Sequence, residues 1–198
     1  LSMLRPLFAS SPVPVIHACH HRMGTYWFSR NLRDIAYAHG RSFGVFDKSG
    51  SGFRDFTVMD HGRYENLPDG DIRVTHMIRD PRDVAVSGYY YHLWTDEAWA
   101  HVQEARWGGQ SYQGLLNSLS REEGMAVEIR NLKYTMEELA SWPVEDHRVM
   151  TLRFERVLAD PELWFRRIFE FYGFTSAATK RGLRVVGKRS LDKVKKSK

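Results

Sequence analysis

The chain of 198 residues contains a single cysteine, Cys19. One thiol cannot form an internal disulfide, which points to a reducing compartment and a cytoplasmic location. No run of about 18 apolar residues occurs, so no membrane segment is read in the sequence. The opening stretch LSMLRPLFASSPVPV is too short for an anchor and is broken by Arg5 and by prolines. A signal peptide stays open there as the alternative. The nucleotide-loop pattern GxxxxGK[ST] is missing, which argues against an ordinary ATP or GTP site. No metal is expected: His17, His20 and His21 have no partner at a ligand spacing, and alternation along a strand would send them to different faces. There are no internal repeats.

Charge of one sign is scarce outside the C-terminus. The net charge of +5 could suggest nucleic acid, but the four lysines of KVKKSK (193–198) account for all but +1 of it. Such a tail is usually a solvated end. No nucleic-acid partner is expected; the arginines that sit within motifs suit one compact anion. A hydrophobic content of 42% with 27% charged residues fits a globular chain rather than a disordered one. The length fits one domain over 1–198. Nothing in the sequence speaks to oligomeric state.

Val13 to Cys19 is β-branched and apolar and reads as a buried strand, with Cys19 inside it. A turn follows at 20–25, then a helix over 26–39 with apolar positions 27, 28, 32, 35 and 36, stopped at Gly40. FGVF (43–46) and FTVM (56–59) are two short strands around the Gly/Ser-rich loop DKSGSGFRD. Ile72 to Ile78 is a further strand. Asp80-Pro81 then starts a helix to about Trp94, with Asp80 as N-cap and Asp83 in its first turn. Residues 95–142 read as two or three helices, the most periodic being 124–142 with apolar positions 125, 129, 132, 136 and 139. Trp94, Trp99 and Trp107 are read as core, with a lid over an apolar acceptor as the other use. Arg148 to Phe154 is a strand, 161–172 a helix opened by Asp160-Pro161 and ended by Gly173, and 175–187 the last helix. Strands alternating with helices predict parallel pairing in a three-layer α/β fold.

Two segments carry chemistry. HHRMGTYWF (20–28) joins the first strand to the first helix, and a helix N-terminus offers free N–H groups and a positive dipole end to an anion. Gly24 allows close backbone approach, Thr25 adds a hydroxyl, Arg22 a charge and Trp27 a flat face. In IRDPRDVAVSGYYYH (78–92), Arg79 falls at a strand end and Ser87 eight residues on. Together they could hold a second phosphate at the sheet edge where open α/β folds bind ligands. Taken singly, each also fits a plain turn or a surface ion pair.

The two segments in this order resemble the sulfotransferases that use 3′-phosphoadenosine-5′-phosphosulfate (PAPS). Their first signature is similar to P-K-S-G-T-T-W, and His21-Arg22-Met23-Gly24-Thr25-Tyr26-Trp27 stands here. Their second is similar to R-N-P-K-D-V-A-V-S-Y-Y-H, and Arg79 to Ser87, then Gly88 and Tyr89 to His92, stand here. A third, F-Y-E-D-L with a following D-P and F-L-G, is matched by 153–158, Asp160-Pro161 and 171–173. The resemblance implies a P-loop-NTPase-like central parallel sheet flanked by helices and PAPS as sulfuryl donor. It implies a 5′-phosphosulfate site from the backbone of Arg22, Met23, Gly24, Thr25 and Tyr26 with the side chains of Arg22 and Thr25. It further implies adenine on Trp27 and the 3′-phosphate on Arg79 and Ser87. Arg22 replaces the family lysine, Tyr26 a threonine and Phe154 a tyrosine. The family's late Arg-Lys-Gly segment has no aligned match; Lys180-Arg181-Gly182 and Lys188-Arg189 come too early.

Sulfuryl transfer has a loose transition state, so the protein positions the reactants and supplies positive charge, here through Arg22. The acceptor must lose a proton, and a histidine can take it near neutral pH. Of nine histidines, His61 follows the strand FTVMD and precedes the second segment by eighteen residues. That is where the resemblance puts the base. Asp60, His20 and His21 are the alternatives. The acceptor is a hydroxyl or amine on a small molecule or glycan. A nucleotide kinase-like phosphotransferase of related fold and a non-catalytic nucleotide-binding module are the competing functions.

Overall fold

A computed structural model describes residues 13–46, 52–143 and 145–188. The tail at 193–198, Arg189 and most of the Gly/Ser-rich loop lie outside the described residues. The chain forms two compact units, one from 1–78 with 143–198 and the other from 79–142.

The first unit is built on five parallel strands: β1 (Val15–Cys19), β2 (Phe43–Phe46), β3 (Phe56–Asp60), β4 (Arg73–Ile78) and β5 (Val149–Arg153). Their order is β2-β3-β1-β4-β5. β1 is central and every residue in it is buried, which is why it reads as an unbroken apolar run rather than an alternating one. It pairs in register with β3 from Val15↔Phe56 to Cys19↔Asp60, and with β4 from Val15↔Arg73 to Ala18↔His76. Helices α1 (Thr25–Ala38), α5 (Phe154–Ala159), α6 (Pro161–Phe171) and α7 (Ser176–Lys188) belong to the same unit. An aromatic seam joins them: Phe28 of α1 stacks on Phe165 of α6 at 5.2 Å, and Phe169 stacks on Phe174 at 5.0 Å. Cys19 is fully buried, with Sγ 3.7 Å from the Met59 carbonyl, and burial pushes its thiol up to about 12.

The second unit is helical: α2 (Pro81–His92), α3 (Tyr112–Ser118) and α4 (Arg121–Ala140), with 3₁₀ turns at Ala98–His101 and Ala105–Trp107. The cap of α2 is the one the sequence predicts, whereas α4 begins at Arg121, three residues before the expected start. Asp80 accepts from the Arg82 N–H at 2.9 Å with Pro81 in the first turn. Ser120 and Glu123 form a reciprocal capping box on α4. In the first unit Asp160 caps α6, accepting from the Leu163 N–H three residues on.

A parallel sheet flanked by helices is the three-layer α/β fold expected. Among the described residues no helix is long and apolar enough to cross a membrane. Three local expectations need correction. The strand ending at Phe154 gives way to a helix, α5, whose N-cap Arg153 makes no side-chain cap and so leaves no signal in the sequence. The buried face of α4 is Gly124, Val127 and Glu128, whereas Ile129 is 56% exposed. The tryptophans are not a common core: Trp94 is 70% exposed, Trp99 is 41% exposed with its ring 5.6 Å from that of Tyr112, and Trp107 packs half-buried on the cluster around Tyr112.

Candidate active site

β1 and β3 are neighbours that end in register, so the segments leaving Cys19 and Asp60 emerge side by side at one edge of the sheet. From β1 the chain makes the turn His20 to Gly24 and enters α1. Arg22 has φ 63° and Gly24 φ 83°, with Met23 between them outside the left-handed region. Backbone that alternates hand in this way turns successive N–H groups inward into an anion-binding concavity. Gly24 is also the N-cap of α1, and no side chain caps that end of the helix. The helix N-terminus therefore opens on the same loop.

The loop is held from below. Met23 is fully buried, and its N–H bonds the His20 carbonyl at 3.2 Å. The Thr25 hydroxyl donates to the same carbonyl at 2.9 Å, so in this structure it closes the loop instead of pointing outward. Gly24 is required twice over. Its φ is one that L side chains avoid, and a Cβ there would lie 2.2 Å from Cε2 of Phe154. Tyr26 is 70% exposed, lies under the Arg30 guanidinium and accepts a hydrogen bond from it. Its side chain therefore turns to α1's own surface, leaving only its backbone at the loop. Trp27 is 8% exposed and edge-on to Phe28 and Phe165.

His61 follows β3 directly. It is exposed, has φ 51°, and its N–H bonds the Asp60 carboxylate at 3.2 Å. Its ring centroid is 5.6 Å from that of His20, edge-on, and 6.4 Å from that of His21, nearly parallel. His61, the buried His20 and the half-buried His21 thus form one cluster at the mouth of the loop. Arg22 and His61 are the only non-glycine residues with positive φ among the described residues.

Arg79 follows the last residue of β4, and Ser87 lies midway along α2; both side chains are half-buried. Between them Arg82 folds back on Asp80 through a fork of 2.6 and 3.0 Å, and this hydrogen bonding lowers the Asp80 carboxyl to about 2. The N-cap of α2 is therefore anionic at any working pH.

The sulfotransferase domain profile matches residues 48–198, more than half of the chain. The chain belongs to the sulfotransferase family. It is accordingly an enzyme of PAPS-dependent sulfuryl transfer. The first loop, 20–27, precedes the matched stretch, but the fold covers it. The structure is similar to that of mouse sulfotransferase SULT7A1 complexed with PAP, with a TM-score of 0.62 at 17% identity over 96% of this chain and 68% of that one. Comparison with curated proteins gives no match.

Around the candidate site the structure adds contacts that sequence spacing does not reveal. The segment after His61 is tied to the approach of β5. The Tyr64 hydroxyl donates to Asp146 Oδ2 at 2.6 Å, and Arg148 forks onto the same carboxylate and reaches the Tyr64 hydroxyl at 3.1 Å. Arg148, then Tyr64, hold the Asp146 carboxyl far below the usual carboxylate range. The partners are 82 positions apart, so only the Asp146–Arg148 spacing was visible beforehand. Beneath the loop, the fully buried His17 stacks on Phe28 at 3.7 Å and bonds Thr75 at 3.0 Å; Thr75 in turn meets the Tyr172 hydroxyl at 2.6 Å. Burial lowers both His17 and His76 to about 3, so both are neutral. Lys180, Arg181 and Gly182 lie within α7, where Arg181 bonds the Ala38 carbonyl and Gly182 packs under Phe169.

Proposed function

We propose that residues 1–198 act as one catalytic domain that passes the sulfuryl group of PAPS to a hydroxyl or amine of a small molecule or glycan. The backbone N–H groups of 22 and 24–26 and the Arg22 guanidinium hold the 5′-phosphosulfate, with the Met23 N–H closing the loop on the His20 carbonyl; Arg79 and Ser87 hold the 3′-phosphate. The small open part of the Trp27 ring meets the adenine. What supports these roles is one observation: the only two non-glycine residues with positive φ among the described residues, Arg22 and His61, follow the ends of neighbouring in-register strands. Backbone strain of this kind costs about 1–3 kcal/mol and collects at functional sites.

A ring nitrogen of His61 takes the acceptor's proton as the acceptor oxygen or nitrogen bonds to sulfur. The bond from sulfur to the bridging 5′-phosphate oxygen breaks, and the electron pair leaves with that oxygen. Arg22 and the loop N–H groups meet the charge that grows on it. Adenosine 3′,5′-bisphosphate (PAP) is the product.

His61→Ala tests the assignment. Turnover of PAPS with an alcohol acceptor should fall about 10²–10⁴-fold while PAP affinity holds. Near-normal turnover moves the base to Asp60, His20 or His21. A wild-type chain that binds PAP yet turns over no acceptor in a broad panel is a binding module instead.

A further inference from the structure

The helical unit contains a buried polar cluster that no step above uses. Glu128 on α4, His92 on α2 and Tyr112 on α3 are 4%, 4% and 1% exposed. The Tyr112 hydroxyl donates to Glu128 Oε2 at 2.6 Å, and His92 Nδ1 lies 2.9 Å from the same oxygen. A carboxylate taken out of water is costly unless its lone pairs are satisfied. Sequence that only needed to join three helices could do so with apolar side chains, so the retained acid calls for an explanation of its own.

The other oxygen supplies one. A Cβ on Gly88 would sit 2.3 Å from Glu128 Oε1, so the backbone of α2 is pressed against the carboxylate at that residue. One turn earlier in α4 the contact is reversed: a Cβ on Gly124 would sit 2.7 Å from the Tyr89 ring. Two adjacent residues of α2, Gly88 and Tyr89, thus lock into two residues of α4 one turn apart, Glu128 and Gly124. This fixes the depth and the rotation of α2. The residue before Gly88 is Ser87. Gly88 is also the residue that interrupts the resemblance of this segment to S-Y-Y-H.

We infer that Glu128 is a positioning residue for the 3′-phosphate. Held by Tyr112 and His92, it sets the turn of α2 that carries Ser87, and so the enzyme's discrimination between PAP and a nucleotide without the 3′-phosphate. The inference rests on the assignment of that phosphate to Arg79 and Ser87. A binding constellation must be held within about 0.5 Å to work fully, and a carboxylate wedged against a glycine is a stiff support.

The readout is the ratio of AMP to PAP dissociation constants, measured by calorimetry on the full chain. General destabilisation weakens both ligands alike and leaves this ratio unmoved. Arg79→Ala should bring it close to one. Glu128→Ala should lower it by about tenfold, Gly88→Ala by a similar factor, and Tyr112→Phe, which removes one hydrogen bond and keeps the shape, by less. If Glu128→Ala does not fold, Gly88→Ala and Tyr112→Phe decide. A wild-type ratio in Arg79→Ala overturns the 3′-phosphate assignment and the inference with it. A collapsed ratio in Arg79→Ala beside an unchanged ratio in the folded Glu128, Gly88 and Tyr112 variants overturns the inference alone.

Discussion

The sheet unit and the helical unit both bury polar side chains, but by opposite means. Under the loop at 20–24, His17 and His76 lie in the strands as neutral rings, their pKa lowered first by burial and then by a neighbouring histidine, His76 beside His17 and His20 beside His76. In the helical unit an acid, Glu128, is kept inside by a phenol and an imidazole that both reach one of its oxygens. The first arrangement needs no partner charge but holds only while the rings stay unprotonated. The second depends on shape, because its acid fits only where Gly88 leaves room. The contrast extends to the surface. Aromatic side chains in the sheet unit interlock around Phe28 and Phe165, whereas the helical unit leaves Trp94 in solvent.

The largest effect is expected from a single methyl group in the sheet unit. Gly24→Ala must place a Cβ against Phe154 with φ at 83°. It should cost about 3 kcal/mol by denaturant titration and abolish PAP binding. Phe154→Ala in the same background should return part of the stability, because the collision goes while the backbone strain stays. An unaffected Gly24→Ala chain would show that the loop is looser than the helical unit and would reverse the contrast.

Acid should sharpen it next. An unfolded histidine binds its proton near 6.5, and the folded His17 and His76 only near 3. Between those values the unfolded chain binds more protons, so stability is full above 6.5 and falls as the pH drops toward 3. At pH 5 each of the two should cost about 2 kcal/mol relative to pH 7.5. His17→Gln should flatten that slope. An equally steep slope in the variant would place the acid sensitivity elsewhere.

The smallest effect belongs to the helical unit's surface. Trp94→Ala should change the melting free energy by no more than about 0.5 kcal/mol, since the ring is 70% exposed and lies edge-on to the Tyr91 ring at 5.1 Å. A cost above 1 kcal/mol would restore the core role that its sequence context suggests.

What could be read beforehand divides along the same line. Asp80-Pro81, Asp160-Pro161 and the turn through Gly24 are local chemistry, and each appears where the sequence puts it. The central strand was legible because β1 is buried on all sides and therefore apolar throughout, apart from His17. The interior of the helical unit escaped such reasoning because its contacts break the hydrophobicity rule. The inward face of α4 presents a glycine and a glutamate, so counting apolar residues selects Ile129, which is exposed. Gly88 looks like a helix weakness until Glu128, forty residues later, is brought against it. At the candidate site, the strand-to-helix loop could be read from the sequence directly and His61 through the family resemblance. The Tyr64–Asp146–Arg148 tie was not, because its members are joined only by the fold.

Cys19 has one further consequence. The sole thiol of the chain is fully buried, and its acidity is so weakened that almost no thiolate exists at neutral pH. Maleimides and haloacetamides react through the thiolate, so the native protein is in effect cysteine-free to such reagents. A cysteine introduced at an exposed position such as Trp94 or Tyr134 would be labelled alone. A fluorophore or spin label placed there could follow nucleotide and acceptor binding without removing Cys19 from the centre of the sheet.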